Sequence, residues 1–587
     1  MANISTICIV ETVILCFLWA ACVCVPLPDY LASRAKLLDM EKMQRLGGKI
    51  VLTAKEQKVN ETLMAMKEKE FQAGLDAKPF SAAMHFMLAK PHIDKSEVFD
   101  IIKMMPKGAA LHVHDLAAVN VSWVIEHLTN LPNLYYCNIT LPTKGIHFSF
   151  SSQTPSQPLP DCSSWELVYD ARKTHGYFDE WLFDNLSMLT KDPHTAYPDT
   201  YQAWHKFGSS LTPVSDLVYS TEEVFQSYMN QALLEFYQDN VQYIEIRYLP
   251  LRYAYNSSFE QILVFDQMSL FQVRNATFVT PEKEMNCDTP QIVGMELQVI
   301  YAICYVITYV IVSLLAVKNS QWNQTRYKIY SEKFINVTKE FVKQYPNFYG
   351  AKFISESIRT VDKDVIAQNI KDAISYKKSF PEYYAGHDLV AEEDTGYPLL
   401  HYIKQLLLPS QTNQSLPFFF HAGETDWEGT YVDENLFDAI LLNTTRIGHG
   451  YAITKHPVAM ELARKQGIAI EVNPISNQVL GLVDDLRNHP AASLIAQDFP
   501  LVISSDDPSV WNAKPLSHDF YFAFMALAGK RADLATLKQF ALNSIKYSAT
   551  TNAEKAKMKT IWTIKWDDFL DQVLDKYGKK CVKEEFK

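Results

Sequence analysis

From residue 108 onward short apolar runs recur along the chain, separated by stretches with helical spacing. The runs are 109–114 (AALHVH), 241–248 (VQYIEIRY), 349–354 (YGAKFI), 383–389 (YYAGHDL), 417–421 (PFFFH), 445–449 (TRIGH), 468–473 (IAIEVN) and 500–505 (PLVISS). Strands buried on both faces read as near-continuous apolar segments, as several of these do. Helical patterns between consecutive strands fit right-handed βαβ units. Eight such units predict an α/β fold, a (β/α)8 TIM-type barrel over 106–575. A doubly wound open sheet is the competing reading of the same pattern.

Three segments stand outside that alternation. Residues 26–105 read as an N-terminal helical extension, because 54–73 (AKEQKVNETLMAMKEKEFQA) mixes charges with Leu63, Met64, Met66 and Phe71 and contains neither Gly nor Pro. It is either a dimerisation arm or a lid on its own barrel. Residues 128–200 form an inserted subdomain, whose Pro- and Ser-rich loop is flanked by Cys137 and Cys162, a candidate disulfide. Residues 262–320 are an anomalous apolar insertion. Within it 300–317 (IYAICYVITYVIVSLLAV) has the length of a membrane span. One span inside a barrel would divide a single sheet between the two sides of a bilayer. A segment foreign to the native chain, a gene-model artefact, is therefore the reading adopted, with a buried hairpin or active-site cover as the alternative.

Composition narrows the setting. With 587 residues, 48% hydrophobic and 21% charged, the chain can build one large core plus additions. A net charge of −12 argues against nucleic acid as partner and leaves small neutral ligands open. Residues 1–25 end in an apolar run with small residues (VILCFLWAACVCV) followed by Pro26, which reads as a cleaved signal peptide, with an uncleaved anchor as the alternative. Cys8, Cys16, Cys22 and Cys24 would leave with it. N-x-S/T triplets begin at Asn60, Asn120, Asn138, Asn185, Asn256, Asn275, Asn323, Asn336, Asn413 and Asn443. Leader, disulfide and triplets together predict an extracellular protein.

The chemistry sits where the strands end. His112 and His114 lie two apart at the end of the first run and so share a face. His421 ends the fifth run, His449 the sixth, and Asp506 and Asp507 follow the eighth. In (β/α)8 enzymes the C-terminal ends of the strands carry the active site. Mutual pairing of buried carboxylates and imidazoles is the structural alternative, and it does not explain why all of them gather at one end. His112, His114, His421 and Asp506 make an N/O set suited to catalytic zinc, which needs no thiolate.

In their order, MPKGAALHVHD, FFFHAGETD, RIGHG, EVNPISN and ISSDDP resemble the adenosine deaminase family. The leader, the helical extension and the Cys-bounded insertion make the resemblance closest to its secreted, growth-factor branch. The resemblance implies hydrolytic deamination of adenosine, and of 2′-deoxyadenosine, to inosine and ammonia, with growth effects that follow from lowering extracellular adenosine. It implies one Zn2+ per subunit on His112, His114, His421 and Asp506. It makes Glu424 the proton donor to purine N1 and His449 the group that orients the attacking water. Asp507 then bonds N7, and Asp115 and Trp204 hold the nucleoside. It also implies a homodimer, and a cell-surface receptor or glycan as a further partner. One departure is visible: the family's D-L-x-G stretch reads DLVAEED here, with Ala391 at the glycine, whose methyl crowds the base unless the backbone shifts. Two other readings remain. One is a barrel hydrolase with two metals bridged by a carboxylated lysine, for which no strand end offers the lysine. The other is a catalytically impaired secreted signalling or binding protein of the same fold.

Overall fold

The computed structural model describes residues 27–139, 145–155, 164–248 and 327–584. The expected leader (1–25), the apolar insertion (262–320) and Cys162 lie outside the described residues.

The described strands are β1 (Gly108–His114), β2 (Leu134–Ile139), β3 (Gly145–Phe150), β4 (Glu166–Leu167), β5 (Val241–Tyr248), β6 (Gly350–Ile358), β7 (Tyr384–Val390), β8 (His421–Ala422), β9 (Arg446–His449), β10 (Ala469–Val472) and β11 (Leu501–Ile503). Each of the eight apolar runs overlaps a strand, 417–421 only at His421. Pairing is parallel throughout two four-stranded sheets, in the orders β1-β5-β6-β7 and β11-β10-β9-β8. Single parallel bridges join the sheets at both edges, Val113 with Asp506 and His387 with Phe418. Run 417–421 is the one that pairs least. There the Pro417 carbonyl accepts the His387 N–H, the Phe419 N–H donates to the His387 carbonyl, and the carbonyls of Phe418 and Phe420 accept from Thr445 and Gly448 before a regular ladder begins at His421.

Helices alternate with these strands. In Glu222–Gln238 the Thr221 side chain caps the first turn, and Val224, Phe225, Tyr228, Met229, Ala232, Leu233 and Phe236 form the buried stripe. Lys363–Ser379, Asn435–Leu441, Pro457–Gln466 and Leu534–Lys546 occupy corresponding places after later strands. Helices on the outside leave β5, β6, β7, β9, β10 and β11 buried at every residue.

The N-terminal extension divides into two parts. Helix Ala54–Leu75 opens on a capping box between Thr53 and Glu56 and docks on its own chain. Its buried Lys67 donates to the carbonyls of Phe524, Gly529 and Ala532 at 3.1, 2.8 and 2.8 Å. Its Glu56 accepts from Trp566 at 2.8 Å and Lys538 at 2.5 Å. Helix Leu27–Gln44, by contrast, buries nothing and exposes Leu27, Tyr30, Leu31, Leu37, Met40 and Met43. The region 128–200 carries an antiparallel sheet in the order β3-β2-β4, flanked by helices Val168–Thr174 and Phe178–Leu186. Cys137, buried on β2, is disulfide-bonded. Among the described residues no helix is long and apolar enough to cross a membrane.

Candidate metal centre and active site

The polar strand ends converge on Asp506. His112 Nε2 lies 3.0 Å from Asp506 Oδ1 and 3.1 Å from His421 Nε2. His114 Nε2 lies 3.2 Å from the same Oδ1, and His449 Nε2 lies 3.5 Å from Oδ2. Donor atoms of His112, His421, His449 and Asp506 all fall within 4.8 Å of one another, and His114, Asp506 and Asp507 form a second, overlapping group. Of the expected quartet, His112, His421 and Asp506 fall in one group with His449 as its fourth member, while His114 meets Asp506 from the second group. Gly448 makes room for the first group, since a Cβ there would stand 3.0 Å from the His112 ring and 3.2 Å from the His421 backbone.

The far side of three imidazoles is held by carboxylates from other strands of the two sheets. Glu471 on β10 faces His112 Nδ1 at 2.7 Å, Glu356 on β6 faces His114 Nδ1 at 3.2 Å, and Asp388 on β7 faces His421 Nδ1 at 2.8 Å. A carboxylate that accepts the Nδ1–H turns the Nε2 side of each ring towards the cluster, the orientation a metal ligand needs. Two buried arginines tie the set together. Arg247 donates to Asp388 and Glu471 at 2.7 Å each, and Arg446 donates to Glu471 and Glu245 at 2.5 Å each. These six charged groups escaped the reading of the sequence. Their signal was there: a charged residue inside an otherwise apolar buried strand is rare unless paired.

Glu424 lies beyond the cluster, its Oε1 3.0 Å from His449 Nδ1. Burial, helped by the charges of Asp506 and Glu393, pushes its carboxyl well above the usual range. Burial also raises Asp507, with Asp506 beside it, and drives His449 well down towards the neutral form. For Asp506 burial pulls upward but is outweighed by His449 and His112, so this carboxylate stays ionised. Adjacent carboxyls are thus driven apart, one kept charged and others kept protonated.

Asp115 follows β1, buried, and accepts from the Tyr219 hydroxyl and the Leu116 N–H. Burial and the neighbouring Glu356 carboxyl raise it to about 7. Trp204 is half-buried on helix Thr200–Val218, which lies against 115–117; its ring packs edge-on to Phe207 at 5.4 Å. Ala391 takes φ +84°, the left-handed conformation that glycine adopts freely. His449 and Asp506 are left-handed too, at +58° and +60°. Three non-glycine residues in strained conformations at three strand ends mark a site whose geometry the surrounding fold enforces.

The residues fit a metal. Asp506 Oδ1 is buried with no hydrogen bond satisfying it, although two imidazole nitrogens point to it from 3.0 and 3.2 Å. Several imidazoles and a carboxylate, without thiolate, form an N/O donor set that suits zinc.

Comparison with known proteins shows the family. Residues 23–102 match the family model described as Adenosine/AMP deaminase N-terminal, and 347–561 match the model described as Adenosine deaminase. The chain is 40% identical over 548 residues to Adenosine deaminase 2 of Pongo abelii and to that of Homo sapiens, covering 93% of this chain and 94% of each relative. It is 38% identical over 549 residues to Adenosine deaminase of Lutzomyia longipalpis, covering 92% and 93%. The chain belongs to the adenosine deaminase family of hydrolases, in the branch that includes the adenosine deaminase 2 proteins.

Proposed function

We propose that the chain is a secreted, zinc-dependent enzyme that hydrolyses adenosine, and 2′-deoxyadenosine, to inosine and ammonia. The observation that carries the reading is the convergence of His112, His114 and His421 on Asp506, with Glu424 against His449. The eight parallel strands, bridged at both sheet edges, are taken as a (β/α)8 barrel with this cluster at its C-terminal face.

His112, His114, His421 and Asp506 would hold one zinc ion per subunit, whose Lewis acidity makes water nucleophilic at neutral pH. Glu424, kept protonated by burial, gives its proton to purine N1 as water adds at C6, which removes the aromaticity that resists attack. His449 orients that water from between Glu424 and Asp506. Asp507 donates its retained proton to N7, and Asp115 and Trp204 hold the nucleoside. One proton of the added water passes to N6 and the other restores Glu424, so that the C6–N6 bond breaks, ammonia leaves, and C6 keeps the oxygen as the carbonyl of inosine.

Secretion is supported by the leader-like composition of 1–25, by the disulfide at Cys137, and by the exposure of the acceptor asparagines Asn138, Asn336, Asn413 and Asn443. The exposed apolar side chains of helix Leu27–Gln44 support a homodimer built through the N-terminal extension. Removal of extracellular adenosine accounts for growth effects without a dedicated receptor. The reading is tested by Glu424→Gln. Turnover of adenosine should fall by about 10²–10⁴-fold while metal content stays that of the parent. A variant that keeps full turnover would remove Glu424 from the mechanism.

A further inference from the structure

The turn that carries Glu424 is gripped by a carboxylate that the chemistry above does not use. Glu393, only 2% exposed, lies in the loop after β7. Its Oε2 accepts the Gly423 N–H at 3.2 Å and the Asn435 side-chain amide at 2.8 Å, and its Oε1 accepts the Glu424 N–H at 3.2 Å. Asn435 is itself pinned, its Oδ1 accepting the Leu399 N–H at 2.8 Å. Across from these donors stands the buried guanidinium of Arg359, with Nη2 3.9 Å from Glu393 Oε1 and hydrogen-bonded to the carbonyls of Leu389 and His421 at 3.0 and 3.1 Å.

Two consecutive N–H groups can face one carboxylate because Gly423 takes φ +75°; a Cβ at that position would sit 2.8 Å from Leu436. The result is an anion-accepting backbone nest filled by a side chain of the same molecule. Rotating the Glu424 backbone would break charge-assisted bonds at both 423 and 424. The Glu424 carboxyl is therefore held where it meets His449 Nδ1.

We infer that Glu393 is a positioning residue for the deamination, fixing the backbone from which Glu424 delivers its proton. The inference rests on the reading of Glu424 as proton donor. A carboxylate is needed because an amide has a single accepting oxygen, and its NH2 would oppose an incoming N–H. Glu393→Gln keeps the shape and loses one arm of the grip. Misplacement of a catalytic group by about 1 Å costs on the order of 100-fold. Glu393→Gln is accordingly expected to lower kcat by about 10- to 100-fold, with KM within about twofold and the zinc content of the parent by elemental analysis. Asn435→Asp provides a second variant. It keeps the acceptor for Leu399 and sets a like charge against Glu393, and it is expected to lower kcat selectively as well. In a Glu424→Gln background, Glu393→Gln should cost less than about twofold further, because the group it positions is gone. An unchanged kcat in both single variants would overturn the inference, and so would an undiminished loss in the Glu424→Gln background. Failure of the underlying reading shows elsewhere, as retained turnover in Glu424→Gln alone, and would sink both.

Discussion

Glu471→Gln probes the charged frame behind the histidines. Glu471 is fully buried and receives His112 Nδ1 at 2.7 Å, Arg247 at 2.7 Å and Arg446 at 2.5 Å. Burial works to raise its pKa, but the two guanidiniums outweigh it and hold the carboxylate far below its ordinary range. Around it, two arginines face three carboxylates: Asp388, Glu245 and Glu471. Glutamine leaves two of each, so neither arginine is stranded, and the roughly 3–5 kcal/mol penalty of an orphaned buried charge does not arise. What is lost is bond strength and one of two accepting oxygens, since the amide NH2 opposes the donors on its side. Hydrogen bonds to charged groups contribute about 1.5–3 kcal/mol against about 1 for neutral ones, and Glu471 accepts three, which puts the cost near 3 kcal/mol of stability. The larger consequence falls on the metal. With a weaker acceptor at Nδ1, His112 loses basicity and a fixed tautomer, and such changes typically cost about 10–100-fold in affinity, or about 1.4–2.7 kcal/mol. Apo-protein titrated with zinc against a chromogenic chelator reads this directly. A zinc Kd within about twofold of the parent would refute the reasoning.

Three other outcomes are expected. Lys67→Met removes the ammonium donor from three carbonyls, of which that of Gly529 keeps the Ala532 N–H, and should lower stability by about 2–4 kcal/mol, read as a reduced urea midpoint with the kcat of correctly folded protein unchanged. Burial pushes His85 and His387 down to about 4 and His489 to about 3. The unfolded chain takes up protons near pH 6.5 and the folded chain does not, so stability is full above about pH 7 and falls progressively towards pH 4. Urea midpoints across that range check this, and a midpoint that rises on acidification would refute the sign. Ala391→Gly relieves a left-handed alanine worth about 1–2 kcal/mol, offset by about 0.5–1 kcal/mol of backbone entropy. It should leave the melting temperature level or slightly raised and lower KM for adenosine; a raised KM would show that the Ala391 methyl does not crowd the base.

The strands were legible because each is a short apolar run and because their polar ends share one direction. Run 417–421 bonds to both neighbours as its hydrophobicity suggests, but as a regular ladder only from His421 onward. His112, His114, His421 and Asp506 could be named because strand alternation and family motifs both mark them. Glu356, Asp388 and Glu471 could not, because their roles depend on which strands become neighbours, and one strand pattern does not state that. Glu393 was hidden for a different reason: it sits in a loop, where no periodicity singles out one acid from the pair Glu392–Glu393. The two-part nature of the extension was equally hidden, because Lys67 reads as a surface charge until its three carbonyl partners arrive from residues 524–532.

The most direct test of the central claim follows the ultraviolet absorbance change as adenosine becomes inosine, using protein secreted from cells. The assay is run as purified, after chelation, and after zinc is restored. The account predicts turnover that chelation abolishes and zinc restores, while magnesium, which prefers an all-oxygen shell, does not. Turnover indifferent to chelation, or none in zinc-loaded folded protein, would contradict it.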